Sequence, residues 1–151
     1  MKIRDFLTIN DRPLITVGPS ETLSVAIRKL VENDIGALPV CNDKGELVGI
    51  ISQRDLLKEC FQHSNAIGIT EVQDVMTQRV VVGTPDDNLD YVTTVMKQNR
   101  IRHLPIVVGQ KLEGIISMRD NCDLQLNECK AHTRYMDLVP GKTHSGRQRL
   151  V

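Results

Sequence analysis

Apolar residues recur along the chain in two rhythms, and each rhythm occurs twice. Downstream of Pro19-Ser20-Glu21-Thr22, Leu23, Ala26, Ile27 and Leu30 fall at i, i+3, i+4 and i+7. That spacing lays one apolar stripe along an amphipathic helix. Leu89, Val92, Thr93 and Met96 hold the same phases farther on. Ser20 or Thr22 can cap the first helix; Asn33 and Asn99 stand near the expected helix ends, where Asn tolerates left-handed backbone. Next comes a short apolar run, Leu38-Pro39-Val40 or Leu104-Pro105-Ile106. A polar turn follows, Asn42-Asp43-Lys44-Gly45 or Gly109-Gln110-Lys111, and then a second run ending in Gly-Ile-Ile-Ser. Two such runs joined by a short turn predict a hairpin. Proline cannot donate to a ladder, so Pro39 and Pro105 belong at a strand start or edge. Another helix is expected from about Gln53 and from about Met118, and each unit reads roughly β-α-β-β-α.

The two units are copies. Residues 33–40, NDIGALPV, match residues 99–106, NRIRHLPI, at an offset of 66. Residues 49–55, GIISQRD, match residues 114–120, GIISMRD, at an offset of 65, so one residue is missing from the second loop. Pro19 and Leu23 align with Pro85 and Leu89. Ile3-Arg4-Asp5-Phe6-Leu7 and Val72-Gln73-Asp74-Val75-Met76 look like matching lead-in turns. Residues 1–70 are read as the first repeat with its lead-in and linker, and residues 71–126 as the second. A unit of about 50 residues is too small to bury its own sheet well. The expected architecture is therefore α/β (α+β), with two repeats packed face to face about a pseudo-twofold and two equivalent clefts between them. Residues 127–151 are expected to extend a C-terminal helix, begun near Arg119 and running to about Leu138, into a frayed polar tail from Gly141 to Arg149.

Composition removes several function classes. Nineteen basic and nineteen acidic side chains give a formal net charge of zero. Such a chain has no global field to draw in nucleic acid or an anionic membrane. Two Phe, two Tyr and no Trp leave few platforms for stacking bases. The charged N-terminus, MKIRDFLTIN, argues against a secretory leader, and no apolar run approaches the roughly 20 residues of a membrane span. The expected location is the cytoplasm. Cys41, Cys60, Cys122 and Cys129 lack the spacing of a disulfide framework and are expected as free thiols.

Candidate chemistry concentrates at Ser52-Gln53-Arg54-Asp55 and Ser117-Met118-Arg119-Asp120, each where a strand runs into a helix. Unpaired N–H groups and the positive dipole end favour a phosphate there. A Ser hydroxyl can donate to phosphate, an Asp can accept from two adjacent ribose hydroxyls, and an Arg can balance charge. Ser-x-x-Asp is equally a helix cap, and both roles can hold at once. Other constellations are weaker. Cys129 and His132 share a helix face but lack further ligands. No nucleophile–base pair is evident, so no catalytic residue is assigned. Lys142, His144, Arg147 and Arg149 form a basic tail of the kind that usually stays solvated.

The P-x-x-x-L helix start, the h-x-x-L-P-h block and above all G-h-h-S-x-x-D, twice in register, resemble a pair of cystathionine-beta-synthase-type (CBS) domains from Ile3 to about Leu126. The resemblance implies a non-catalytic regulatory module whose clefts bind AMP, ADP, ATP or S-adenosylmethionine. It assigns the ribose hydroxyls to Asp55 and Asp120, and the phosphate to Ser52 and Ser117 with Arg54 and Arg119 beside them. Ala37, Leu38, Pro39, His103, Leu104 and Pro105 would line the adenine pockets. Thr16 fits a ligand-contacting position in the first strand; the second copy has Val82 there, with Thr84 beside Pro85. Gly36-Ala37 in one copy against Arg102-His103 in the other makes the clefts unequal, the second being suited to a phosphate chain. The resemblance also implies disc-like homodimers joined through the helices. No attached enzyme or transporter domain is expected, so the signal is expected to pass to a protein partner in trans or through the chain's own assembly, with no membrane or nucleic-acid partner. The alternative is a ligand-independent dimerisation scaffold in which both Ser-x-x-Asp turns are only caps.

Overall fold

The apolar stripes become helices whose ends are set by side chains. The computed structural model describes residues 1–126 and 132–138. Helix α1 spans Ile3–Ile9, α2 Leu23–Asn33, α3 Gln53–Gln62, α4 Leu89–Asn99 and α5 Met118–Gln125. Strands β1 (Ala37–Cys41) and β2 (Leu47–Ser52) form one antiparallel hairpin, β3 (His103–Val108) and β4 (Lys111–Ser117) the other. Of the two candidate caps on α2, Thr22 serves, accepting from the Val25 N–H. Both hairpins shift register at the same place, between Val40 and Cys41 and between Ile106 and Val107.

Several expectations are corrected. The left-handed residues are Asp34 (φ 52°) and Arg100 (φ 54°), one position beyond Asn33 and Asn99. Each Asn instead closes its helix, its side-chain amide donating to the carbonyl of Lys29 (2.8 Å) or Val95 (2.9 Å). The first strand of each repeat shrinks to one bridging residue, Val17 beside Val40 and Gly83 beside Ile106. These residues explain the prolines. The Val17 N–H donates to the Pro39 carbonyl and the Gly83 N–H to that of Pro105. A strand residue points its nitrogen and carbonyl to the same side, so each donorless proline nitrogen faces away from the hairpin partner. The long C-terminal helix ends at Gln125, and residues 132–138 carry no helix. Residues 127–131 and the tail from 139 lie outside the described residues.

Two cores form, and the lead-in segments cross between them. Val17, Leu23, Ala26, Leu30, Leu38, Val40, Ile51 and Leu56 build the first, joined by Val72 from the second copy's lead-in. Val92, Val95, Met96, Leu104, Ile106 and Ile116 build the second, joined by Ile3 and Phe6 from the N-terminal lead-in. Backbone bonds repeat the exchange: Ile3 N–H to Asp87 and Arg4 N–H to Pro85 on one side, Val72 N–H to Glu21 and Gln73 N–H to Pro19 on the other. This exchange also explains the glycine of each Gly-Ile-Ile-Ser. A Cβ on Gly114 would lie 2.6 Å from Leu7 Cδ2, and one on Gly49 would collide with the Met76 side chain.

The hairpins meet at both ends. At the turns, Glu46 bridges Lys111, with Leu47 N–H donating to Gln110 and Leu112 N–H to Gly45. Glu46 and Lys111 are counterparts in the duplication, so the pseudo-twofold passes beside them.

Candidate functional site

Each Ser-x-x-Asp unit is first of all a helix start. Ser52 caps α3 and Ser117 caps α5, both as reciprocal capping boxes. Asp55 Oδ2 accepts from the Ser52 N–H (2.9 Å) and hydroxyl (2.9 Å); Asp120 Oδ2 accepts from the Ser117 N–H (2.9 Å) and hydroxyl (2.6 Å). Capping therefore uses one oxygen of each carboxylate and leaves Oδ1 for another partner. Asp55 Oδ1 has none among the described residues. Asp120 Oδ1 accepts from Arg12 Nη1 at 3.0 Å, and the Asp120 side chain is only 9% exposed against 69% for Arg12.

The Leu-Pro blocks lie beside these turns, because Ala37 pairs with Ser52 and His103 with Ser117. The Gln53 N–H donates to the Gly36 carbonyl, and the Met118 N–H to that of Arg102. Leu38 and Leu104 are wholly buried in the two cores, and Ala37, Pro39 and Pro105 are also buried. The leucine side chains thus hold the strands, and only their backbone can face a cleft. Thr16 is half-buried, with its carbonyl accepting from Lys29 Nζ at 2.8 Å. Thr84 is exposed, its N–H donating to Asp87 Oδ2 in a turn. Arg54, Arg102 and Arg119 are exposed and make no ion pair among the described residues.

The structure brings one pair together across the repeats. The His103 imidazole rests on Gly36, where a Cβ would stand 3.2 Å from Cε1 and 3.4 Å from Nε2. The missing side chain of Gly36 is thus filled by an imidazole from the other repeat. Burial lowers the His103 pKa and the Arg102 charge adds to that, while Asp120 opposes both. Asp120, His103 and Arg12 accordingly belong to one neighbourhood, with Gly36 at its edge. Sequence reasoning missed Arg12. It lies 108 residues from Asp120 and carries no local motif.

Two cavities stand elsewhere. One, of about 300 Å³, is an apolar groove between α2 and α3, lined by Ile27, Leu30, Val31, Leu56, Leu57 and Cys60 with Gln53 at its end. The other, of about 500 Å³, lies by the hairpin turns and includes Glu46, Gln78, Val82 and Gln110. None of the expected ligand residues lines either. Cys41, Cys60 and Cys122 are free thiols, and no cluster of three metal-ligating side chains occurs among the described residues. No helix among them is long and apolar enough to cross a membrane.

Known proteins share this arrangement. The CBS domain profile matches residues 3–61 and 72–120. The CBS domain-containing protein YhcV of Bacillus subtilis (strain 168) is 33% identical over 119 residues, covering 78% of this chain and 81% of its own length. Several other curated relatives are longer, and the chain spans 32% to 62% of their lengths. The crystal structure of CBSX2 in complex with AMP superposes with a TM-score of 0.72 at 30% identity, covering 83% of this chain and 96% of that one. The CBS domain pair of protein MJ0100, in complex with 5′-methylthioadenosine and S-adenosyl-L-methionine, gives 0.75 at 25% identity, covering 85% and 98%. With its duplicated hairpins, its crossed lead-ins and a profile match in both repeats, this chain belongs to the CBS-domain family.

Proposed function

We propose that the chain is a non-catalytic regulatory module that binds an adenine nucleotide (AMP, ADP or ATP) or S-adenosylmethionine between its two repeats. The observation that carries this reading is the division of labour within Asp55. One carboxylate oxygen completes the cap of α3, and the other stands half-buried at a helix start without an internal partner among the described residues. A vicinal diol is a suitable donor to it, and the α3 N-terminus beside it favours a phosphate. Ser52 and Arg54 would serve that phosphate, while Thr16 and the backbone of Ala37–Pro39 would frame the base. In the second cleft Ser117, Arg119 and Asp120 take these roles, with Arg102 adding positive character, His103 an uncharged ring whose pKa burial lowers, and Thr84 at the rim. The AMP held by CBSX2 and the adenosyl compounds held by MJ0100 support this ligand class. A ligand touching both repeats would favour one arrangement of them, to be read by a cytoplasmic protein partner as a shifted population.

A thermal-shift series with AMP, ADP, ATP and S-adenosylmethionine tests the reading. A ligand at 100 times its dissociation constant adds about 2.7 kcal/mol, and the raised Tm should be largely lost in Asp55→Asn. No shift with any of the four in a well-folded parent would overturn it.

One observation favours assembly as a second role. Val31, Leu57 and Phe61 are 73%, 70% and 91% exposed around the apolar groove of α2 and α3. Exposed apolar side chains gathered on one helix pair suit a homodimer joined through the first repeat. Should no ligand bind, this face would leave a dimerisation scaffold as the better account.

A further inference from the structure

The exchange of lead-ins forces two connecting segments to run in opposite directions between the repeats. Residues 10–16 leave α1 on the second core and enter the first, passing the start of α5. Residues 76–82 make the reverse journey. Arg12 lies on the first of these segments and Gln78 on the second. Arg12 donates to the Asp120 oxygen that capping leaves over. Gln78 does not reach Asp55; it lines the cavity by the hairpin turns. The two acidic residues, equal in sequence, are unequal in what already holds them.

We infer that Arg12 is a built-in competitor for the ribose-accepting oxygen of Asp120, so that the Asp55 cleft binds more tightly and fills first. This inference rests on the nucleotide reading above and adds to it an order of filling. The guanidinium and a ribose diol are both donors, and they claim the same Oδ1. A ligand entering the Asp120 cleft must break an ion pair that a ligand entering the Asp55 cleft does not meet. Arg12 is mostly exposed, so its grip is that of a surface ion pair and not of a buried one. The handicap is correspondingly modest, up to about five-fold in affinity. A gap of that size widens the concentration range over which a pair of sites responds. Asn10 and Pro13 hold the segment in place: the Arg12 N–H donates to the Asn10 carbonyl at 2.8 Å, and Pro13 keeps the preceding backbone extended.

Calorimetric titration with AMP tests this on the full chain, using the parent, Arg12→Gln, Arg12→Gln with Asp120→Asn, and Asp55→Asn. Asparagine keeps an acceptor for the Ser117 cap, which protects the fold of the double variant. The expected parent shows a tight event that Asp55→Asn removes and a weaker one that remains. Arg12→Gln should tighten only the weaker event, by up to about five-fold, and adding Asp120→Asn should abolish that gain. The inference is overturned if Arg12→Gln leaves both events unchanged, weakens either, or produces a gain that survives Asp120→Asn. AMP binding in the parent with any of those results would sink the competitor and leave the nucleotide reading standing. An absence of AMP binding in both the parent and Arg12→Gln, with no Tm shift from ADP, ATP or S-adenosylmethionine, would remove both.

Discussion

The two helix pairs descend from one sequence and now differ in chemistry. Between α2 and α3 the facing residues are Ile27, Leu56 and Cys60, and the surrounding surface is apolar and exposed. At the equivalent places α4 and α5 carry Thr93, Asn121 and Gln125. There the Asn121 amide donates to the Thr93 hydroxyl at 2.7 Å and the Gln125 amide joins it at 3.2 Å, while Asn121 Oδ1 is buried without a partner among the described residues. Duplication preserved the backbone, the caps and the glycines that the lead-ins pack upon. It released the outer faces, whose side chains the fold does not dictate. The first repeat thus leaves apolar side chains exposed on its helix pair, and the second joins its helices by polar contacts of its own.

Placing a charge on each face would break the comparison most visibly. Leu57→Glu should shift the chain toward monomer, raising the dimer dissociation constant about ten-fold or more, since a desolvated charge is costly at an apolar contact. The same change at the counterpart, Cys122→Glu, should leave the assembly unaltered. Light scattering across a concentration series reads both, and equal effects would show that the two faces do not differ in this respect. A smaller effect follows from transplanting the apolar pair. Thr93→Ile with Asn121→Leu removes a buried amide whose oxygen is unpaired among the described residues, along with the hydroxyl its nitrogen bonds, and urea unfolding should show a gain of about 1 kcal/mol. A loss of stability would show that the polar contact holds α5 better than an apolar one.

The smallest effect concerns His103, whose counterpart Ala37 cannot titrate. Burial holds its pKa below the ordinary 6.5, so under mildly acidic conditions the unfolded chain takes a proton that the folded chain refuses. The unfolded state then binds more protons, and stability falls as pH drops below about 6.5. The loss levels off only below the folded pKa. His103→Gln should reduce this acid-side loss in melting curves taken between pH 7 and 5, and an unchanged slope would count against it.

Much of this was legible before any coordinates. The offsets of 66 and 65, the hairpins, the capping turns and the amphipathic stripes all rest on local spacing, and local spacing is what a sequence displays. The exchange of lead-ins was not legible. Ile3 and Phe6 pattern like any short amphipathic turn, and nothing in them says which repeat they cover. The helix ends moved by one residue because the Asn33 and Asn99 amides bond back to carbonyls four positions earlier. That passed the left-handed turn to Asp34, which tolerates it, and to Arg100, against the usual preference. At the site the Ser-x-x-Asp turns were visible as motifs. The Arg12 contact was not, because it depends on the path of a crossing segment.

That crossing has a consequence for how the protein is made. Domains tend to fold in order as the chain leaves the ribosome, at roughly 5–20 residues per second. The first core has its full complement once Val72 has emerged. The second needs Ile3 and Phe6, which are made first, and Ile116, which comes late. The N-terminal helix therefore waits for several seconds with its apolar side uncovered while more than a hundred residues are added behind it. The earliest part of the chain is among the last to be buried, and sequestering it is a task for the nascent chain's surroundings rather than for its own fold.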